Sequence, residues 1–82
     1  MIGEHFEIWA AILNERKYQD NKWGVTNPHT VFEWIGIMEK ELQEAKLSFF
    51  QYSSNDQMLH EVLQVIAVGV ACLEQHGVVE RK

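Results

Sequence analysis

The residues of this chain best suited to chemistry are two pairs of oxygen-bearing side chains. Glu41 and Glu44 stand three residues apart in one predicted helix, and Glu61 and Gln64 have the same spacing in the next. Residues at this spacing lie one turn apart on the same side of a helix, so each pair presents its two oxygens together. Antiparallel packing would bring the pairs together, and four such oxygens suit Mg²⁺ or Mn²⁺, with water in the remaining positions.

The acidic residues also have a simpler interpretation. Glu39, Glu41 and Glu44 could form a solvated face that pairs with Lys40 and Lys46. Exposed ion pairs of this kind contribute little to stability and imply no ligand. Spacing alone leaves both interpretations open.

Three segments with helical periodicity must position these residues. Ile2, Phe6, Trp9 and Leu13 recur at helical spacing and predict a first helix over about residues 3–20. Turn formers then predict a loop over residues 21–28, where proline disfavours helical angles in the residue before it.

Capping residues and an apolar stripe define the second and third helices. Thr30 and Glu33 have the spacing of a capping box, which predicts a helix over about residues 30–50. A polar connection over residues 53–56 leads to a third helix over about residues 57–76, and Gly77 is a plausible stop.

The third helix is apolar in every direction from Val65 to Leu73. Two partner helices from so short a chain cannot cover it completely, so it is either central in the bundle or faces another subunit. The sequence therefore predicts an all-α single domain, residues 1–82, of three antiparallel helices. We expect it to assemble as a homodimer or homotetramer into a multi-subunit bundle.

Composition restricts the classes of partner. Seven basic against twelve acidic residues give a net charge of −5, which disfavours direct nucleic-acid binding. The single cysteine, Cys72, lies in an apolar stretch and indicates a reducing compartment. We expect no signal peptide, and the longest uncharged apolar run, about twelve residues, is short for a membrane span. These features predict a cytoplasmic protein without a membrane partner.

The acidic pairs and the residues around them resemble a known family. Glu41-Leu-Gln-Glu44, a polar break, and then Glu61-Val-Leu-Gln64 are similar to the motifs of the MazG-like all-α nucleoside triphosphate pyrophosphohydrolases. That family has Glu-x-x-Glu on one helix and Glu-x-x-Asp on the next. Residues 16–19, residues 22–24 of the first loop and the run 61–71 further resemble a short subgroup that is often encoded by phages or prophages.

The resemblance implies an Mg²⁺-dependent enzyme, with Mn²⁺ as a substitute, that cleaves a nucleoside triphosphate between its α and β phosphates. Glu41, Glu44 and Glu61 match the family's acidic positions, but Gln64 replaces its usual Asp. A glutamine carbonyl can coordinate Mg²⁺ without adding charge, so ion affinity should fall. Lys40 and Gln43 stand where many relatives have a third acid and a glycine.

The sequence offers candidate residues for the reaction and for substrate binding. Glu44 could orient or deprotonate the attacking water. The cations available to bind phosphate include Arg16, Lys22 and Lys46, and each has a solvated surface role as its alternative. Trp23 could stack on a base or anchor a loop to the core.

Two functions from different classes remain open. The first is a pyrophosphohydrolase, favoured by the three matching glutamates. The second is a catalytically silent helical module that acts by oligomerisation, nucleotide binding or protein partners, favoured by Gln64. A zinc-protease helix is excluded because the second histidine that would follow His60 is replaced by Gln64.

Overall fold

The computed structural model describes residues 2–24, 28–52 and 55–81, with side chains for 5–24, 28–51 and 55–81. It contains three helices, α1 Ile2–Trp23, α2 Val31–Tyr52 and α3 Asn55–His76. No strand occurs in these described residues. The predicted all-α class and the order of three helices are confirmed.

Two helices end at glycines with left-handed backbone angles. Gly24 has φ +87° and Gly77 has φ +88°, and each amide donates to the carbonyl four residues earlier, at 2.8 Å. Glycine adopts this conformation without the cost that a Cβ brings, so it closes a helix readily. The stop at Gly77 agrees with the prediction, but α1 continues to Trp23, so residues 21–23 are helical rather than part of the loop. Residues 25–27 and 53–54 of the predicted connections lie outside the described residues.

The start of α2 is fixed by the predicted capping box. The Thr30 amide donates to Glu33 Oε1 at 2.8 Å, and the Glu33 amide donates to Thr30 Oγ1 at 3.0 Å. These two bonds satisfy amides that have no partner inside the helix. The capping residues predicted from sequence therefore set the first turn of α2.

The most apolar helix, α3, is the one against which both α1 and α2 pack. Val68 is completely buried and forms the core with Ala71 and Trp34. The sequence predicted that α3 is either central in the bundle or faces another subunit. Within one subunit, α3 is central. By length and composition alone α3 could also cross a membrane, a property that it shares with core helices of soluble proteins.

The helix α1 contacts the bundle through its less apolar side. Ile12, Glu15 and Gln19 are buried, and Gln19 is only 2% exposed. Phe6, Trp9 and Leu13 are 70%, 61% and 57% exposed, respectively. At 100° per residue, the two groups point about 120° apart, so the apolar stripe cannot face α3 while Gln19 does. The stripe predicted from helical spacing exists, but it lies on the surface of the subunit.

Candidate metal centre

Three carboxylates from two helices meet beside the core. Glu41 and Glu44 on α2 and Glu61 on α3 each place one carboxylate oxygen within 4.8 Å of the other two. Glu41 and Glu61 are half-buried, whereas Glu44 is exposed. The packing of α2 on α3 therefore brings together the acidic residues that the sequence predicted to converge, in a geometry that a divalent cation could bridge.

The cluster is electrostatically unfavourable for Glu41. Burial raises the pKa of Glu41 above its ordinary value, and the negative charges of Glu44 and Glu61 raise it further. When the charged form of a carboxyl group is disfavoured in this way, a cation that binds nearby stabilises that charged form. The same repulsion that raises this pKa would therefore favour occupation of the cluster by a cation.

Gln64 lies against the same carboxylates. With its amide oriented to satisfy its neighbours, the nitrogen donates to Glu61 Oε2 at 2.9 Å and to Glu41 Oε2 at 3.1 Å. Its oxygen then accepts a hydrogen bond from His60 Nε2 at 3.2 Å. The opposite orientation would place the amide oxygen against carboxylate oxygens with no donor between them, so the hydrogen-bond network selects the first.

A cavity of about 510 Å³ opens beside the cluster, between the three helices. Glu41 contributes to its wall. Aromatic and apolar side chains line part of the cavity, and charged side chains of both signs line the rest. The lining includes Arg16, Trp23, His29, Trp34, Lys40 and Gln75. This mixed lining can accommodate an aromatic ring and an anionic group in the same space.

Only some of the predicted substrate-binding residues lie at the cavity. Arg16 and Trp23 lie on the cavity wall. Lys22 lies outside that lining, with its Nζ 5.8 Å from the centre of the Trp23 ring and 6.0 Å from that of Tyr18. Lys46 is exposed and lines neither this cavity nor the smaller hollow described below. It follows Glu44 by two residues, which turns it about 200° away around α2.

Arg16 is already engaged by acidic partners. Its guanidinium contacts Glu74 Oε1 at 2.7 Å and Asp20 Oδ1 at 2.8 Å, and it donates to Gln19 Oε1 at 3.1 Å. Burial lowers the pKa of Arg16, but the bonds to Glu74 and Asp20 outweigh that effect and raise it. A phosphate entering the cavity would therefore share Arg16 with two carboxylates.

Sequence reasoning did not identify several residues of the cavity wall. Gln75 Oε1 accepts hydrogen bonds from Trp34 Nε1 at 2.8 Å and from the His29 amide at 3.1 Å. His29 also meets the Trp34 ring edge-on, with 4.9 Å between ring centres. In the sequence, Trp34 shows only the spacing of an apolar helix residue, and His29 only the position of a loop residue before the Thr30 cap. Lys40 had one available signal, its position next to Glu41.

A smaller hollow lies on the other side of the cluster. It has a volume of about 280 Å³ and is lined by Glu44 and Glu61 together with Leu47, Ser48 and Gln51. The acidic cluster thus stands between the two hollows, with Glu41 towards the larger one. Water could reach Glu44 from the smaller hollow while a larger molecule occupies the cavity.

Comparisons with known proteins identify no relative. No protein-family model matches the chain, and neither the curated proteins nor the solved structures give a significant match.

Proposed function

We propose that this protein is a divalent-cation-dependent nucleoside triphosphate pyrophosphohydrolase. The observation that carries the proposal is the convergence of Glu41, Glu44 and Glu61 within 4.8 Å, at the edge of a cavity of about 510 Å³. Hard oxygen ligands from two helices fit Mg²⁺ or Mn²⁺, and the cation in turn binds phosphate oxygens. The resemblance of these positions to the MazG-like motif supports the same assignment.

The proposed reaction uses residues on both sides of the cluster. The bound cation would stabilise negative charge on the α-phosphate. Glu44 accepts a proton from a water molecule, whose oxygen forms a bond to the α-phosphorus while the bond to the bridging oxygen of pyrophosphate breaks. The products are a nucleoside monophosphate and pyrophosphate. Glu44 suits this role because it is the exposed member of the cluster and faces the smaller hollow.

The larger cavity would hold the nucleoside. Trp23 and Trp34 offer aromatic surfaces, and the base could stack on one of them. Arg16 and Lys40 on the same wall supply positive charge for phosphates that the cation does not reach. Lys22 and Lys46 remain candidates from sequence, but they lie outside the lining of this cavity.

The decisive experiment is an activity assay with a panel of nucleoside triphosphates and Mg²⁺ that distinguishes pyrophosphate from orthophosphate. Release of pyrophosphate with the monophosphate is the expected result. Glu44→Gln should reduce the rate by at least about a hundredfold, the usual contribution of a general base. Glu39→Gln removes the same charge from an exposed acid on α2 outside the cluster and should leave the rate unchanged.

Cation binding can be measured separately from turnover. Millimolar Mg²⁺ or Mn²⁺ should raise the melting temperature, because a ligand that binds only the folded state stabilises it. Glu44→Gln should reduce this rise and Glu39→Gln should retain it. Stabilisation without pyrophosphate release would favour the silent helical module, whereas indifference to both cations would favour the solvated acidic face.

We further propose that the protein binds a second copy of itself through α1. Phe6, Trp9 and Leu13 form a stripe that is more than half exposed along one side of this helix. A contiguous apolar face of this kind in a chain of 82 residues typically marks an interface. The buried side of α1 includes Glu15 and Gln19, and Gln19 donates to the backbone oxygen of Gln64 on α3, so the apolar stripe is left for another surface.

Light scattering tests the proposed assembly. The unchanged chain should have at least the mass of a dimer, and Trp9→Glu should shift it towards the monomer. Asn14→Glu is the control, because Asn14 is exposed on the same helix about 140° from Trp9. A monomeric mass for the unchanged chain at micromolar concentration would contradict the proposal. Val68 is a poor test position because it is completely buried within one subunit.

A further inference from the structure

The side chain of Gln64 occupies a position between α2 and α3 that its neighbours define closely. Glu61 Oε2 and Glu41 Oε2 lie within hydrogen-bond distance of one end of the amide, and His60 Nε2 lies within that distance of the other end. His60 and Gln64 are four residues apart on α3, so they face the same way. Glu41 belongs to α2, so this network joins the two helices.

We infer that Gln64 is a positioning residue whose amide N–H groups bridge Glu41 and Glu61, and that His60 fixes this orientation. This inference rests on the proposed cation site and gives Gln64 a different role from that of a fourth oxygen ligand. An ionised carboxylate can only accept hydrogen bonds, so the donors of the amide turn towards the glutamates. The amide oxygen then receives the Nε2 hydrogen of the His60 ring.

The bridge has two consequences for the cluster. It draws Glu41 and Glu61 together despite their like charges, because each oxygen accepts a hydrogen from the same nitrogen. It also competes with a cation for those oxygens. The cation must approach atoms that the amide already satisfies, so the bridge weakens cation binding while it preserves the arrangement of the carboxylates.

Calorimetric titration with Mn²⁺ distinguishes this role from ligation. In Gln64→Leu the competing donors are lost, and Mn²⁺ should bind several-fold more tightly than to the unchanged chain. A ligating carbonyl predicts the opposite, since the substitution would remove one ligand. Either weaker or unchanged binding in Gln64→Leu would overturn the inferred competition between the amide and the cation. Circular dichroism of the variant establishes that the helices are retained.

His60 provides a second variant at an exposed position. His60→Ala should also tighten Mn²⁺ binding, though by less, because the amide loses its anchor but keeps its donors. In the Gln64→Leu background the same substitution should have no effect, since His60 acts through the amide. An equal effect of His60→Ala in both backgrounds would show that His60 influences the cluster by another route.

A measurement without any cation separates failure of this inference from failure of the proposed function. In the presence of a chelator, the side-chain amide protons of Gln64 should resonate downfield of those of the exposed Gln43 and Gln51, and exchange more slowly with water. The signals are assigned by their loss in Gln64→Leu. Exposed-type amide signals would overturn the bridge even if Mn²⁺ binds, whereas bridged signals without Mn²⁺ binding would overturn only the cation site.

Discussion

Arg16 of α1 and Glu74 of α3 form an ion pair in which Nη2 lies 2.7 Å from Oε1 and Nε donates to the same oxygen at 2.9 Å. Arg16 is largely enclosed by the protein, while Glu74 is about half exposed. Asp20 completes the contact from within α1, at 2.8 Å. The pair connects α1 to the central helix along the wall of the cavity.

Arg16→Met should destabilise the subunit by about 1–3 kcal/mol, because hydrogen bonds to charged groups are lost from a partly buried guanidinium. Glu74→Gln should cost less, about 1 kcal/mol at most, since an exposed partner is screened by water. Urea unfolding followed by circular dichroism measures both changes. Equal costs for the two variants would show that Arg16 contributes little beyond this single ion pair.

The capping box of α2 gives the fold a predictable response to acid. The backbone amide of Thr30, and then its side chain, lower the pKa of Glu33 below its ordinary value of 4.5. A lowered pKa contributes stability that is present above the unfolded value and is lost as the pH falls through the folded value. The contribution of Glu33 should therefore disappear in the acid range, below about pH 4.5.

Glu33→Gln isolates this effect, because glutamine can make the same cap without a charge. The unchanged chain should be the more stable at neutral pH, and the difference in melting temperature should shrink as the pH falls towards about 3. Glu39→Gln serves as the control, because it also removes one exposed acid from α2. A difference that stays constant with pH would contradict the assignment of this pKa.

Two helical glycines should respond differently to replacement by alanine. A Cβ on Gly36 of α2 would meet no atom within 4 Å, whereas one on Gly69 of α3 would lie 3.3 Å from Met38 Cε. Gly36→Ala should therefore raise the free energy of unfolding by about 0.5–1 kcal/mol through helix propensity alone. Gly69→Ala should gain less, because the flexible end of Met38 must move by a few tenths of an ångström. Chemical unfolding of both variants tests the order; a larger gain at Gly69 would contradict it.

Local signals in the sequence predicted the elements of this fold well. Thr30 and Glu33 fixed the start of α2 because a cap depends on residues that are close in sequence. The i, i+3 spacing of the glutamates predicted a shared face, and the antiparallel helices bring Glu61 to Glu41 and Glu44. The end of α1 was less predictable, because Asn21 and Lys22 tolerate either a helix or a turn and Gly24 decides between them.

The way in which the helices pack was harder to predict from the sequence. The apolar stripe of α1 indicated that this side of the helix would be buried. The side that carries Gln19 is buried instead, because its amide donates to Glu15 Oε2 and to the backbone oxygen of Gln64. The stripe predicts contact with some apolar surface, without specifying whether that surface belongs to the same chain. Likewise, no periodicity could show that Gln75 would orient Trp34 in the cavity.

The substitution of Gln64 by Asp tests whether this position belongs to the cation site at all. Asp restores a charge at a side chain that lies 2.9 Å from Glu61 and 3.1 Å from Glu41, and it removes the amide donors that satisfy both. Both changes strengthen attraction for a cation. Because a nearby charge contributes roughly 1–4 kcal/mol at this range, we expect Mn²⁺ to bind at least about fivefold more tightly.

The gain in Mn²⁺ affinity from Gln64→Asp should depend on the neighbouring carboxylates of the cluster. Gln43→Asp adds the same charge at an exposed position on α2 and controls for the general increase in negative potential. In calorimetric titrations with Mn²⁺, Gln64→Asp should raise the affinity more than Gln43→Asp does. The gain from Gln64→Asp should be largely lost when Glu61→Gln is also present, because the side chains at positions 61 and 64 act on one ion. Equal effects at the two positions, or weaker binding by Gln64→Asp, would mean that the cation site does not extend to Gln64 and that the similarity to the family motif ends at Glu61.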